Sequence, residues 1–282
     1  ITTIKRTAFS RSSFTGKLNL PENLESVDKS AFRDCNGFSD ALTIPAKMTT
    51  ISYEAFAGCS GFRGNLVLHE DIENIENRAF FNCNGFTGAL TIPPKVTEIG
   101  YDAFTNCAGF TGDLTIPSSV TTLGNSVFQG CTGFNGKLTF GDKITQIGDS
   151  AFCECEGLTG DLTIPDQVTS IGNNAFRQCL NLNGVLHLPT SLKTIGTNAF
   201  YFCSKLHGDL TIPEGVTTIG FQAFIECAGF DGKLTIPNTV TTIEGSAFSG
   251  CSGLTGDLIL PTEITIIEDQ TFSSLGCTGT LT

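Results

Sequence analysis

Residues 107–130 read CAGFTGDLTIPSSVTTLGNSVFQG, and this stretch recurs with substitutions along the whole chain. Its Phe128 belongs to a ladder formed by Phe9, Phe32, Phe56, Phe80, Phe104, Phe128, Phe152, Phe176, Phe200, Phe224, Phe248 and Phe272. The first spacing is 23 residues and every later one is 24. A fixed period of this size marks a stacked-repeat architecture. The segment L-T-I alternates apolar and polar residues, as a half-buried strand does, so Leu114 and Ile116 face inward and Thr115 outward. Pro117 has no N–H to give a neighbouring strand and ends it. Val120 and Leu123 return to the core, with Thr121 and Thr122 in a second short extended segment. Gly124 is read as a turn residue. The run from Asn125 to Cys131 reads as one helical turn with Asn125 as its N-cap, and Val127, Phe128 and Cys131 as its buried edge. Gly133 and Gly136, around Phe134, are read as positive-φ turn residues.

One such unit cannot bury its own apolar face; stacked units can, pairing their strands in parallel. The expected fold is therefore an α/β solenoid occupying residues 1–282 as a single domain. It is a coil of about twelve repeats of 23–24 residues, counting partial ones at the ends. A parallel β-sheet lies on the concave side and short helical turns lie opposite, with curvature arising because strands pack closer than helices. At roughly 4.8 Å per strand the sheet runs on the order of 55 Å. Neither end carries the polar cap of a soluble solenoid, so the expectation is a fragment of a longer chain or open ends that stack.

The recurring L-T-I-P, V-T-x-I-G, A-F and C-x-G-F elements resemble the BspA-like leucine-rich repeat of bacterial and mucosal-protist surface proteins. The resemblance covers essentially the whole chain and implies a right-handed leucine-rich-repeat coil. Small departures are Gly141 and His69 in place of the strand-ending proline, and Asn181 and Lys205 in place of the first glycine. The resemblance implies an extracellular or cell-surface interaction module that adheres to proteins of host or neighbouring cells. It supplies no binding residue to carry over.

Composition is consistent with that reading. The net charge of −12 disfavours nucleic acid and anionic bilayers as partners. No apolar run reaches membrane-span length, so this segment is not expected to insert in a membrane. No nucleophile elbow, P-loop or H-E-x-x-H motif is present, so no enzymatic activity, cofactor or metal is expected. His69 and His187 lie nearly five repeats apart, roughly 24 Å, too far to share a metal. Ten cysteines fall on one ladder, from Cys35 to Cys251. Stacked side chains point the same way, so these read as small buried hydrophobes whose thiols reach backbone carbonyls, not as disulfides. Cys153, outside that ladder, is expected to be exposed, either as a reactive thiol or as a tolerated surface one.

Two surfaces stand out. The outward strand column contains Thr91, Thr115, Thr139, Thr163, His187, Thr211 and Thr235, which reads either as a strand-stabilising ladder or as a concave binding face. The preceding column holds Asp113, Lys137, Asp161, Asp209, Lys233 and Asp257, read as stacked opposite charges. On the helical edge, Tyr201, Phe202, Phe221 and Ile225 form a candidate aromatic patch, with Phe221 beside Ile225 if the segment is helical. The acidic residues Glu70, Asp71, Glu73 and Glu76 read as a solvated face. The expected function is a non-catalytic interaction and adhesion module. The alternative is a structural subunit that stacks end to end in a filament or coat.

Overall fold

The computed structural model describes residues 1–282 and is a parallel β-solenoid of about ten turns of about 24 residues; the units at the two ends, counted among the twelve, are partial. Each complete turn contributes two short extended segments and a return. The second segment, T-x-I, builds the more continuous sheets. Thr50–Ile51, Asn74–Ile75, Glu98–Ile99 and Thr122–Leu123 form a parallel four-stranded sheet. A parallel five-stranded sheet follows, from Gln146–Ile147 to Thr242–Ile243. Every pairing in these two sheets joins residues 24 apart in register, as Ile147 with Ile171. A single cluster of 76 buried residues fills the coil. Leu114, Ile116, Val120, Leu123, Val127, Phe128 and Cys131 all lie in it, the inward positions read from the sequence.

The stacked phenylalanines form the spine of that core. All twelve rings from Phe9 to Phe272 stack on their neighbours, with centroids 5.1–5.8 Å apart and planes within 17°. This offset stacking adds to the area each ring buries.

The expected helical turns are not formed; the structure contains no helix. The residues two before and two after each ladder phenylalanine have positive φ, as at Asp102 (56°) and Asn106 (59°) around Phe104. Two left-handed residues four positions apart prevent helix propagation. The N–H groups instead alternate in destination. Those of Ala103, Thr105 and Cys107 close local turns onto Gly100, Asp102 and Phe104. Those of Asp102, Phe104 and Asn106 donate to Asn125, Val127 and Gln129 of the next turn at 2.7–2.9 Å. The return is thus a polyturn stitched to its neighbours by backbone hydrogen bonds. The wide helical spacing on which the expectation of curvature rested is absent.

Asn125 is accordingly not an N-cap: its Oδ1 accepts the N–H of Asp149 one turn on, at 3.1 Å. Asn77, Asp149 and Asn173 do the same for Tyr101, Asn173 and Thr197. Gly124, Gly133 and Gly136 have ordinary φ values; they are glycines because a Cβ there would strike the preceding turn's backbone at Tyr101, Ala108 and Asp113.

The L-T-I strands differ from the expected long sheet. They pair two by two: Leu42–Thr43 with Leu66–Val67, Leu114–Ile116 with Leu138–Phe140, Leu162–Thr163 with Leu186–His187, and Leu210–Thr211 with Leu234–Thr235. The turn before each strand explains the last three pairs. Asp113, Asp161 and Asp209 accept the backbone N–H of Lys137, Val185 and Lys233 in the next turn, at 2.7–2.9 Å. Reciprocally, Asn135, Asn183 and Asp231 accept the N–H of Gly112, Gly160 and Gly208, each at 2.8 Å. Those glycines have φ of 81–83°, which no other residue adopts without strain. The charged column is therefore not a stack of ion pairs. Asp161 makes the same contact to Val185 that Asp113 makes to Lys137, so the backbone, not the ammonium, is the partner. From residue 107 onward the sequence repeats T/H-G-D and then N/D-G-K/V, and the strand-pairing unit is two repeats long.

The ten ladder cysteines are free thiols, and each Sγ donates to the carbonyl of the ladder phenylalanine of the preceding turn at 2.9–3.2 Å. Cys153 corrects the sequence reading. It is buried, not exposed, and burial raises its thiol pKa, with Arg177 as a neighbour. The position follows the polyturn, whose residue after phenylalanine tucks against the adjacent turn instead of facing outward from a helix.

Two outcomes follow from these contacts. Burial pushes Cys131, Cys203 and Cys251 up to about 12 from an ordinary 9.0. Unfolded thiols ionise first, so the ladder's contribution to stability is complete at neutral pH and is lost as pH rises above 9 toward 12. The urea midpoint should fall steadily from pH 8 to about pH 10.5, and a flat profile would contradict the buried ladder. Separately, Asp161→Ala should cost about 1 kcal/mol in urea unfolding. Asp161→Asn, which keeps an acceptor oxygen, should cost much less.

Candidate functional surface

The outward column lies where the L-T-I alternation places it. Thr91, Thr115, Thr139, Thr163, His187, Thr211 and Thr235 are all exposed. Two-by-two strand pairing divides this face. Thr115 and Thr139 are register partners, as are Thr163 with His187 and Thr211 with Thr235. Between one pair and the next the strands do not join into one sheet, and the surface opens. A cleft of about 550 Å³ separates Leu138–Phe140 from Leu162–Thr163, with Thr139, Thr163, Asp142, Asp161 and Lys137 on its walls. A second, of about 400 Å³, separates Leu186–His187 from Leu210–Thr211 and is walled by His187, Thr211, Thr190 and Asp209. The two clefts recur at the 48-residue interval of the paired repeats, the first lined by Thr139 and Thr163 and the second by His187 and Thr211. Thr91, Thr115 and Thr235 line neither. A third opening of about 630 Å³ lies nearer the N-terminus beside Asn19, Thr43 and Val67.

His69 also lines that third opening. Its Nδ1 accepts the Asp71 N–H at 3.3 Å, so Nε2 carries the proton and donates to the Met48 carbonyl at 2.9 Å. The side chain thus secures the turn that proline secures elsewhere. The acidic residues beside it do not converge. Glu76 accepts the Tyr53 N–H, and Asp71 pairs with Lys95, which holds the Asp71 carboxyl below its ordinary range.

The aromatic patch is partly assembled. Tyr201 and Phe202 touch, with ring centroids 4.7 Å apart, and the Arg177 guanidinium lies over the Tyr201 ring at 5.1 Å. Ile225 joins them through the backbone, its carbonyl accepting the Phe202 N–H at 2.9 Å. The segment is not helical, so the helical spacing that set Phe221 beside Ile225 does not apply; the Phe221 ring lies against Gly245 of the next turn. Phe202 and Phe221 are 36% and 44% exposed. Phe202 also stands at a left-handed position, φ 59°, where other turns carry Gly58, Asn82, Asn106 or Gly130, or polar residues such as Glu154, Gln178 and Glu226. A bulky exposed residue in that conformation is costly on both counts. The recurring Gly and Asn in that column were the available sign that it is left-handed.

The pattern of the "BspA type Leucine rich repeat region (6 copies)" matches residues 2–135, 63–183, 134–255 and 217–280. Among solved structures, a leucine-rich repeat protein from Bacteroides ovatus is similar, with a TM-score of 0.63 and 18% identity over 99% of this chain and 85% of that one. The Leucine Rich Repeat protein of T. pallidum is 28% identical over 64% of this chain and 81% of that one, with a TM-score of 0.54. A leucine rich cell surface protein from Faecalibacterium prausnitzii gives 0.53 and 22% over 92% and 83%. No curated protein matches. No helix is long and apolar enough to cross a membrane.

Replacing Phe202 by asparagine should relieve the left-handed strain and raise stability by about 1 kcal/mol. Thermal melting checks this; a destabilised variant would mean that the ring packs more than its exposure indicates.

Proposed function

We propose that this chain, which belongs to the BspA-type leucine-rich repeat family, is a non-catalytic module of a cell-surface or secreted protein that binds macromolecules of host or neighbouring cells through its threonine face. The observation that carries this reading is the pair of clefts on that face. They are regularly spaced, open and walled by hydroxyl, carboxylate and imidazole groups on a rigid backbone. A regular Thr ladder by itself stabilises strands. An interrupted one presents hydrogen-bonding groups in separated recesses, which gives a partner something to register against. The description of the F. prausnitzii protein as a cell surface protein supports the location. The aromatic pair Tyr201 and Phe202 lies on the polyturn side and would serve as a second contact, since exposed aromatic residues are frequent anchors at interfaces.

Fluorescently labelled chain should bind saturably to cultured epithelial cells or to a panel of immobilised extracellular proteins. The triple variant Thr139→Glu, Thr163→Glu and Thr211→Glu should lose most of that binding while keeping its melting temperature, because all three side chains are exposed. Binding equal to the parent would remove the threonine face as the contact.

A further inference from the structure

A cleft of about 490 Å³ on the polyturn side has no part in the threonine face. Five cations line it: Arg6, Arg11, Lys29, Arg33 and Arg78. The whole chain has only 16 lysines and arginines against 28 acidic residues, so this is a strong local reversal of sign. The floor is Glu54, 3% exposed. Its carboxylate accepts from Arg33 Nη1 at 2.9 Å and Ser30 Oγ at 3.1 Å, and pairs with Arg78 Nη1 at 3.2 Å. The Arg78 guanidinium also lies 4.2 Å over the Phe81 ring. A single buried carboxylate thus fixes two guanidiniums from different turns and leaves donors of each uncommitted. Arg78 Nε is buried and has no hydrogen-bond partner; its nearest carboxylate, Asp102, is 3.9 Å away. At the rim Asp34 lies 3.5 Å from both Arg11 and Arg33. Counting Glu54, Asp34 and Asp102 against the five cations leaves an excess of two, and Arg6 and Lys29 make no ion pair.

We propose that this cleft binds the sulfate groups of a sulfated polysaccharide. Arginine forks suit tetrahedral oxyanions. The cations come from three of four successive turns and so span roughly 15 Å along the coil, longer than a single inorganic ion and matched to a chain carrying spaced anionic groups. Tyr53 lines the cleft as well, with the Lys29 ammonium 4.0 Å over its ring. Duplex DNA carries one charge per about 1.7 Å and would meet the acidic remainder of the surface. A less densely charged polymer meets that repulsion only weakly, since charges beyond about 8 Å are screened at physiological salt.

The test is titration of the full chain with a fluorescent heparin oligosaccharide at about 0.15 M salt, beside its desulfated counterpart and a DNA duplex of equal charge. The parent should bind the sulfated oligosaccharide, neither of the others comparably, and more weakly as salt rises. The variant Arg6→Gln, Arg11→Gln and Lys29→Gln removes exposed charges and spares the Glu54 network. It should bind about tenfold more weakly with a shallower salt dependence. No binding by the parent, or an unchanged affinity in the variant, overturns the site. DNA binding as tight as heparin overturns the assignment to a polysaccharide. Because the threonine face is untouched, failure here leaves the cell-binding reading standing, and the reverse holds.

Discussion

Every turn of this coil must sit one strand spacing from the next on all of its sides at once. That requirement governs the rest. Backbone hydrogen bonds enforce it at the T-x-I sheets and again at the polyturns, where alternate N–H groups reach the following turn. A helix on the return side would direct its N–H groups back into itself and hold neighbours farther apart. The left-handed residues on either side of each ladder phenylalanine prevent this and keep the return as closely stitched as the sheets. The period then has little freedom. An added residue would break the alternation of N–H destinations, displace a phenylalanine from its stack and take a cysteine away from its carbonyl.

The same spacing explains the side-chain chemistry. At one strand spacing, a small donor or acceptor from one turn can satisfy the backbone of the next. Cysteine does so in the core, where its thiol saturates a phenylalanine carbonyl without the desolvation cost of a hydroxyl or amide. Asparagine and aspartate do so at the surface, at the start of four polyturns and before the L-T-I strands. Where the Asp and Asn contacts alternate, they join turns in twos and leave openings between the pairs. Recognition features thus arise from a regular fold without any insertion.

Departures from regularity are where function is best sought. Phe202 occupies a conformation that its column reserves for small or polar residues and exposes its ring there. Glu54 is a buried carboxylate between Ser30 and Arg78 of its column, tolerable only because two arginines and a serine surround it. Neither is needed to build a turn, since neighbouring turns do without them. One displays an aromatic surface and the other organises a basic cleft on an acidic protein.

The solenoid, its register, the inward and outward positions of L-T-I, and the burial of the ladder phenylalanines and cysteines are legible in the order of residues along the chain. These follow from period and alternation, which local residues carry. The tertiary structure alone decided the form of the return. A-F-x-x-C has helical spacing when read along one turn, and only the next turn's carbonyls show where its N–H groups go. It also decided that Cys153 is buried, that the Asp column binds backbone instead of lysine, and that the threonine face is divided by clefts. The Arg cleft gathers residues from four turns that no linear motif connects. In each case the partner lies about 24 residues away. Sequence reading finds that a position repeats; the contact between repeats depends on geometry that exists only once the turns are stacked.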